Sequence, residues 1–135
     1  GVDLNFSLSL FQNLLLIKGN GEYLYTALLD KTNIYTYGKR IMWTPDLTAS
    51  LSISLNFRPI LFTLEANYTG ARYCSNMNIS YLKPYTLVNA ICELKTFQYF
   101  MPYIRLDNLL NTQYESIEEY PMPGISLTVG LKLTF

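Results

Sequence analysis

The stretch GISLTVGLKLTF, residues 124–135, decides the fold class. Its apolar residues stand at every second position: Ile125, Leu127, Val129, Leu131, Leu133 and Phe135. Alternation with a period of two predicts a β-strand with one apolar and one polar face. In a soluble protein the apolar face points into a core, whereas in a membrane barrel it faces lipid. The pattern alone fits both alternatives, so other features of the chain must separate them.

The same alternation recurs along the whole chain, and no long window favours a helical period. It predicts seven strands, at residues 2–10, about 14–28, 47–57, 60–69, about 85–94, about 97–106 and 124–135. Most of these are close to the roughly 9–11 residues that a tilted membrane strand requires, and longer than usual globular strands. The sequence therefore predicts an all-β chain of long antiparallel strands.

The connections between the predicted strands alternate strictly between short and long. Short turns are expected at residues 11–13, 58–59 and 95–96, and long segments at 30–46, 70–84 and 107–124. Outer-membrane barrels show this alternation, with tight turns on the periplasmic side and long loops outside. A soluble sandwich has no reason to sort its connections in this way, so the pattern favours a membrane barrel.

The composition agrees with a membrane protein that crosses with strands. Half of the residues are hydrophobic and only 15% are charged, against about 25% charged in typical soluble domains. No apolar run approaches the roughly 20 residues of a membrane-spanning helix. Equal numbers of acidic and basic residues argue against a nucleic-acid partner.

The sequence offers little for catalysis. The absence of histidine removes histidine triads and imidazole metal sites. The carboxylates Glu115, Glu118 and Glu119 cluster in a long segment, where solvated side chains are the usual case. We therefore expect no enzyme and no cofactor. Cys74 and Cys92 are expected to be two free thiols rather than a disulfide.

Aromatic residues sort by strand end, as in the two interfacial girdles of membrane barrels. Phenylalanines lie near the short turns, and tyrosines and the tryptophan lie near the long segments. The two sets are Phe11, Phe57, Phe97 and Phe135, and Tyr23, Tyr25, Tyr68, Tyr85 and Trp43. A preference of aromatic residues for strands would give part of this pattern by itself.

Four stretches resemble the C-terminal part of the barrel of TonB-dependent outer-membrane receptors. They are YGKRIMWTPDLTASLSISLNF (37–57), YTLVNAICEL (85–94), YIRLDNLLNTQYE (103–115) and YPMPGISLTVGLKLTF (120–135). The third is the most specific, and the positions that match the family pattern are Arg105, Asp107, Asn108, Leu109, Asn111 and Tyr114. Two positions depart from it, because Leu110 stands where phenylalanine is usual and Asn89 where aspartate is common.

The resemblance implies an antiparallel up-and-down transmembrane β-barrel portion of about seven strands, the last strands of a barrel of about 22. Residues 1–135 would form the C-terminal part of that barrel, and we expect the plug domain and the TonB-contacting segment to be absent from this chain. Seven strands alone would leave two open edges in lipid. The chain is therefore expected to be a fragment, a split chain or one portion of a larger receptor.

The resemblance also implies active uptake of a scarce nutrient, such as a ferric siderophore, haem or cobalamin, energised through TonB. The location would be the Gram-negative outer membrane, with long loops extracellular and the C-terminus periplasmic. Expected partners are outer-membrane lipid, the barrel-assembly machinery, the remaining strands and plug, the TonB complex through the missing plug segment, and a small-molecule cargo.

Three groups of residues are candidates for function. Charged residues predicted to face the lumen, the plug or the cargo are Arg105, Asp107, Lys132, Glu65, Glu22 and Lys18, with Glu93 on the same predicted face. Aromatic residues predicted to meet cargo in the extracellular loops are Tyr35, Tyr37, Trp43 and Tyr114. Residues predicted to form the barrel-assembly signal are Phe135, Leu133 and Leu131. Structural alternatives are charge pairing inside the barrel and, for Trp43, interfacial anchoring.

Two other functions remain open from the sequence. One is a small autonomous or partner-completed outer-membrane barrel with an adhesive or structural role. The other is a soluble β-barrel that binds an apolar ligand, against which the leucine- and isoleucine-rich outer face argues.

Overall fold

The computed structural model describes residues 1–95 and 99–133, and this part of the chain is folded entirely into β-strands and their connections. The strands are β1 Val2–Leu10, β2 Leu15–Tyr23, β3 Leu47–Phe57, β4 Ile60–Thr69, β5 Arg72–Tyr73, β6 Tyr81–Leu82, β7 Tyr85–Leu94, β8 Phe100–Asp107, β9 Glu115–Ile117, β10 Tyr120–Pro121 and β11 Ser126–Leu133. No helix in residues 1–95 or 99–133 has the length and apolar character needed to cross a membrane.

Seven long strands form one antiparallel sheet in the order β1-β2-β3-β4-β7-β8-β11. Each long strand therefore pairs with the next long strand along the chain, which is an up-and-down meander. The predicted all-β, antiparallel up-and-down barrel-wall architecture is confirmed, although the sheet is open. Within the described part of the chain, β1 and β11 each lack a second neighbour.

The register of the sheet separates the side chains into an apolar face and a polar face. On the apolar face, Ile17 stands opposite both Leu8 and Ile53, and Ile53 stands opposite Leu64. The polar face carries mostly serine, threonine, asparagine and charged residues at the intervening positions, together with a few apolar ones such as Leu61, Leu87 and Ile91. Sequence alternation thus becomes one continuous apolar surface across all seven strands.

The apolar face is exposed rather than packed on a core. Val129 in β11 is 70% exposed, and among the described residues Leu82 is the one buried large apolar side chain. A contiguous exposed apolar surface of this extent is typical of contact with lipid or with another protein. With the polar face lining the other side, the sheet has the sidedness of a membrane-barrel wall.

The second strand is shorter than predicted. The sequence predicts a strand over residues 14–28, but β2 ends at Tyr23. Tyr23 is opposite Val2, the first residue of β1, and opposite Leu47, the first residue of β3. Beyond Tyr23 no neighbouring strand remains to pair with, and Leu28 instead exchanges backbone hydrogen bonds with residues 38–39.

In the described part of the chain, Pro102 lies in a stretch of β8 that pairs with β11 but not with β7. Pro102 stands opposite Leu131 in β11, while the ladder between β7 and β8 ends at the pair Glu93 and Tyr103. Proline is found in sheets mainly at edges, strand starts and bulges, and the place of Pro102 next to the end of the β7–β8 ladder, as described, agrees with that preference. β8 begins at Phe100, and the predicted start at residue 97 lies outside the described residues.

Three long loops join the strands at one end of the sheet, and we name them loop A (24–46), loop B (70–84) and loop C (108–125). Loops B and C each contain a two-stranded hairpin that the sequence did not predict, β5–β6 and β9–β10. Of the opposite turns, the predicted turn at residues 11–13 is confirmed, with Phe11, Gln12 and Asn13 all in the left-handed region.

Candidate functional site

The six charged candidates and Glu93 share the polar face. The register places Lys18 opposite Ser52, and Ser52 opposite Glu65. Glu22 lies four residues along the same face of β2, and Glu65 stands opposite Asn89. Arg105 and Asp107 in β8 and Lys132 in β11 continue this face to the far edge. The structure thus confirms their common side, while a role in binding plug or cargo stays a prediction.

The charged residues at the β8–β11 side pair with each other. Arg105 Nε donates to Asp107 Oδ1 at 2.7 Å. Lys132 Nζ forms an ion pair with the carboxylate of Glu93 and lies 5.4 Å from the centre of the Tyr103 ring. These contacts satisfy the charges within the wall itself, which is the structural role that the sequence left open for them.

The remaining three charged candidates have no such partner. Among the described residues, Lys18, Glu22 and Glu65 make no ion pair. Lys18 borders a depression of about 520 Å³ that Asn5, Asn20, Ser50 and Ser52 also line. Of the three, Lys18 and Glu22 are exposed and Glu65 is half-buried on the polar face.

The specific motif at residues 103–115 forms a structured turn at the end of β8. Asn108 is 4% exposed, and its side chain donates to the carbonyl oxygens of Thr112 and Pro123 and accepts the Thr112 N–H. The Asn108 N–H donates to Asn89 Oδ1 at 3.0 Å. Asn108 and Asn111 both adopt left-handed backbone conformations, which asparagine tolerates better than most residues.

This turn attaches loop C to the strands on both sides of it. Leu109 N–H bonds to the Val88 carbonyl of β7, and Thr112 Oγ1 bonds to the Thr86 carbonyl. On the other side Asn111 Oδ1 accepts from Ile125 N at 3.4 Å, just before β11. The sequence showed the asparagines as motif matches but gave them no role, and the structure assigns them to fixing loop C.

Loops A and B are joined through side chains that the sequence did not single out. Asn78 Oδ1 accepts the Arg40 N–H at 2.7 Å, and Asn78 Nδ2 donates to the Arg40 carbonyl at 3.0 Å. The Arg40 guanidinium pairs with Asp46 at 3.0 Å and lies 3.8 Å from the Tyr25 ring centre. Asn78 has a left-handed backbone conformation, and the clue that the sequence offered was an asparagine, a residue favoured in turns, within a polar stretch.

Loops B and C are joined by Arg72, which is 7% exposed. Its Nη2 atom donates to the carbonyl oxygens of Glu115 at 3.1 Å and Ser116 at 3.0 Å. Ser80 Oγ also donates to Glu118 at 3.4 Å. The three loops therefore form one connected layer at the end of the sheet.

The four aromatic candidates lie in this layer at separate places. Tyr35 and Tyr37 are exposed near the tip of loop A, and Tyr37 borders a cleft of about 380 Å³ with Lys31 and Ile34. The backbone of Trp43 is held against loop B, since its main-chain N–H donates to the Tyr73 carbonyl oxygen at 2.8 Å. Tyr114 is half-buried in loop C, beside a second cleft of about 360 Å³ between loops B and C.

Tyr114 packs against Tyr85, with 4.5 Å between ring centres. The girdle prediction is wrong for Tyr85, because the register places it opposite Thr69 on the polar face. The alternation in β7 places Tyr85 on the polar face, where it becomes part of the cleft between loops B and C.

The two cysteines are free, as predicted. Cys74 lies in loop B, where burial raises the pKa of its thiol above the ordinary value. At the tip of loop A, hydrogen bonds from Thr32 lower the pKa of Asp30. The described residues contain no cluster of cysteine and carboxylate side chains arranged to hold a metal ion.

The predicted assembly signal is only partly described. Leu131 and Leu133 lie on the apolar face of β11, opposite Pro102 and Phe100. Phe135 lies outside the described residues, so its expected place at the rim stays a prediction.

Comparisons with solved structures identify the architecture. The siderophore receptor PiuA from Acinetobacter baumannii is similar over 94% of this chain, with a TM-score of 0.68 and 15% identity. The ferric yersiniabactin uptake receptor FyuA from Yersinia pestis is similar over 95% of it, with a TM-score of 0.73 and 16% identity. No protein-family model matches the sequence, and neither does any curated protein.

The matched region covers 19% of the PiuA chain and 21% of the FyuA chain, so this chain spans about a fifth of their length. At these identities the likeness bears on the fold. Together with the meander and its two faces, it confirms at the level of fold the resemblance to TonB-dependent receptors: the chain has the fold of a section of a siderophore-receptor β-barrel wall.

Proposed function

We propose that this chain is part of the barrel wall of an outer-membrane receptor that takes up a scarce nutrient, such as a ferric siderophore, haem or cobalamin, with energy delivered through TonB. The observation that supports this most is the seven-stranded meander with an exposed apolar face, similar to siderophore receptors over nearly its whole length. Loops A, B and C would be extracellular and the short turns periplasmic.

The two open edges of the sheet, at β1 and β11, need further strands to pair with. The backbone groups on the outer sides of β1 and β11 require hydrogen-bond partners, because lipid supplies none. We infer that both edges pair with the remaining strands of a larger barrel, which would close the wall. The apolar face would then contact lipid, and the polar face would enclose a plug domain that carries the TonB contact.

The loops and the polar face would have different roles in transport. The connected loop layer would capture cargo at the outer mouth, while Lys18, Glu22 and Glu65 would be available to plug or cargo inside the barrel. The ion pair between Lys132 in β11 and Glu93 in β7 would brace the wall across β8, while Arg105 and Asp107 would neutralise each other within β8.

The function is tested by uptake measurements in the source bacterium under nutrient limitation. Cells that lack the gene for this chain should lose uptake of one member of a panel of radiolabelled ferric siderophores, haem and cobalamin. Uptake should also be lost in cells without TonB, and should return when the gene is restored. Normal uptake of the whole panel in the deletion strain would reject the transport function.

The mass of the native protein, extracted in detergent, tests the wall assignment separately. A single polypeptide several-fold larger than these 135 residues would agree with a complete receptor. A native chain of this length without partner strands would reject the assignment to a receptor wall and would favour a small adhesive or structural barrel.

A further inference from the structure

The end of the sheet opposite the loops carries an excess of positive side chains. We define this short-turn end as the short turns together with the two residues of each long strand that lie next to them. Its charged side chains are Arg58, Lys95, Lys132 and Glu93. Lys132 and Glu93 form an ion pair and balance each other. The positive charges of Arg58 and Lys95 therefore remain uncompensated at this end.

Arg58 and Lys95 lie in turns that are joined to each other. Arg58 follows β3 and Lys95 follows β7, and β4 pairs with both of these strands. The main-chain N–H of Lys95 donates to the Pro59 carbonyl oxygen at 2.6 Å. This hydrogen bond holds the two basic residues on adjacent segments at the rim of the sheet.

Neither basic side chain has a partner in the part of the chain that the structure describes. Both residues are exposed, and neither side chain makes an ion pair or a hydrogen bond within residues 1–95 and 99–133. The short turns themselves contain no acidic residue. Two cations on joined turns, without a free carboxylate beside them, favour an anionic ligand that can accept charge-assisted hydrogen bonds.

The apolar face of the sheet begins directly beside these two turns. Phe57 in β3 stands opposite Ile60 in β4, and Ile60 also stands opposite Leu94 in β7. Phe57 is 56% exposed and Ile60 is 45% exposed. These three residues are the last ones of the apolar face on their strands, so the apolar surface ends where the two basic residues follow.

A phospholipid has the matching arrangement, because its acyl chains meet a charged phosphate at the edge of the hydrocarbon layer. We propose that the rim at Arg58 and Lys95 binds the headgroup phosphate of an anionic phospholipid, with the acyl chains of that lipid against Phe57, Ile60 and Leu94. Long basic side chains at a membrane edge keep their charge among the headgroups while their stems cover apolar surface. An acidic protein partner would pair with the cations but would leave the adjacent apolar residues unexplained.

The inference rests on the proposed placement of the apolar face in the membrane. With the short turns periplasmic, the lipid would belong to the inner leaflet of the outer membrane. The preference for an anionic headgroup is a property of the rim, however, and can be measured in symmetric vesicles without reference to orientation or transport.

The test uses the complete native protein with Cys92 as its one cysteine, labelled with a fluorophore and reconstituted into phosphatidylcholine vesicles. Cys92 is exposed on the apolar face of β7, two residues from Leu94. A small, equal fraction of the lipid carries brominated chains, either as phosphatidylglycerol or as phosphatidylcholine. We expect brominated phosphatidylglycerol to quench the label more strongly, with an enrichment of about fivefold or more for two basic residues. Equal quenching by the two lipids would overturn the proposal.

Two double variants locate the site. Arg58→Gln with Lys95→Gln removes both charges from the rim and should reduce the enrichment to less than about twofold. Lys31→Gln with Lys39→Gln removes two exposed charges from loop A, at the other end of the sheet, and should leave the enrichment unchanged. Full enrichment in the rim variant, or equal losses in both variants, would overturn the proposal.

Quenching by brominated phosphatidylcholine serves as the control for folding. Because Arg58 and Lys95 are exposed and unpaired, this quenching should be the same in the rim variant as in the unmodified protein. A change confined to phosphatidylglycerol then reports the loss of the headgroup contact rather than a disturbed wall.

Failure of this inference differs from failure of the proposed function. Equal quenching by the two lipids, in a protein whose deletion abolishes TonB-dependent uptake, would remove the lipid site and leave the transport function intact. Enrichment that depends on Arg58 and Lys95, in a protein whose deletion changes no uptake, would keep the lipid site and remove the transport function.

Discussion

At the scale of single residues, Asn108 is the side chain on which the loop end depends most. It is buried, it makes three side-chain hydrogen bonds, and it occupies a left-handed conformation with a φ of 53°. Asn108→Ala should lower the free energy of unfolding by roughly 2–4 kcal/mol, since it leaves buried groups unpaired and strains the backbone. The measurement is denaturant unfolding of the complete protein in lipid vesicles.

The matched control lies two residues away. Leu110 belongs to the same turn and is exposed, so Leu110→Ala should change the free energy of unfolding by less than about 0.5 kcal/mol. If both variants had the same small effect, the turn would not hold loop C in place.

Two glycines, Gly21 in β2 and Gly70 at the start of loop B, should respond differently to the same substitution. A Cβ atom on Gly70 would lie 2.7 Å from the Leu47 carbonyl oxygen, a backbone atom that cannot turn aside. Gly70→Ala should therefore cost about 1–3 kcal/mol of unfolding free energy. A Cβ on Gly21 meets only the Thr48 oxygen at 3.9 Å, so Gly21→Ala should be neutral or slightly stabilising. Equal unfolding free energies for the two variants would contradict the close approach at Gly70.

The sequence could predict which face a residue occupies but not which residue it touches. Alternation placed Arg105, Asp107 and Lys132 on the polar face, since the period of a strand is fixed. Their pairing depends on register and on side-chain reach, which alternation does not contain. The roles of Arg72 and Asn78 were missed for the same reason, because their partners lie 38 to 44 residues away in sequence.

At the scale of elements, the strands that the sequence predicted best are those with a neighbour along their whole length. β3 and β4 match the predicted bounds and face each other from end to end. β2 was predicted too long because alternation continues past the point where its neighbours stop. The hairpins β5–β6 and β9–β10 were missed because strands of two or three residues are too short to show a period.

Because Cys92 lies on the apolar face of β7, we can predict which reagents will label its thiol. Its exposed thiol stands between Phe62 in β4 and Ile104 in β8. In outer-membrane vesicles from a Cys74→Ala variant, Cys92 should react with a lipid-soluble maleimide and resist a sulfonated, water-soluble one. Fluorescence of the attached label should be quenched by brominated lipid. Fast reaction with the water-soluble reagent would mean that this face does not contact lipid.

Cys74 provides the control in a Cys92→Ala variant. It lies in loop B and should react with the water-soluble maleimide. Because the thiolate is the reactive form and burial raises the pKa of the Cys74 thiol, its labelling rate should keep rising above the pH at which an ordinary thiol levels off. A rate that levels off at or below that pH would contradict the effect of burial.

At the scale of the whole molecule, the loops and the short turns are separated by the length of the strands. Alternation of short and long connections predicted this separation from the sequence. It could not predict that the three loops join into one layer, because contacts such as that between Arg40 and Asn78 connect segments with no common periodicity. It also could not predict the cleft, which depends on how the two hairpins approach each other.

The separation of the two ends gives a direct test of orientation. In a protein whose native cysteines are replaced by alanine, Tyr35→Cys marks the tip of loop A and Phe11→Cys marks a short turn. The two native side chains are 72% and 74% exposed, so accessibility within the protein is matched. A membrane-impermeant maleimide added to intact cells should label Tyr35→Cys at once. It should label Phe11→Cys only after the outer membrane is permeabilised, since the strands place that turn on the periplasmic side. The opposite labelling would invert the orientation, and equal labelling of both in intact cells would show that the sheet does not span the membrane.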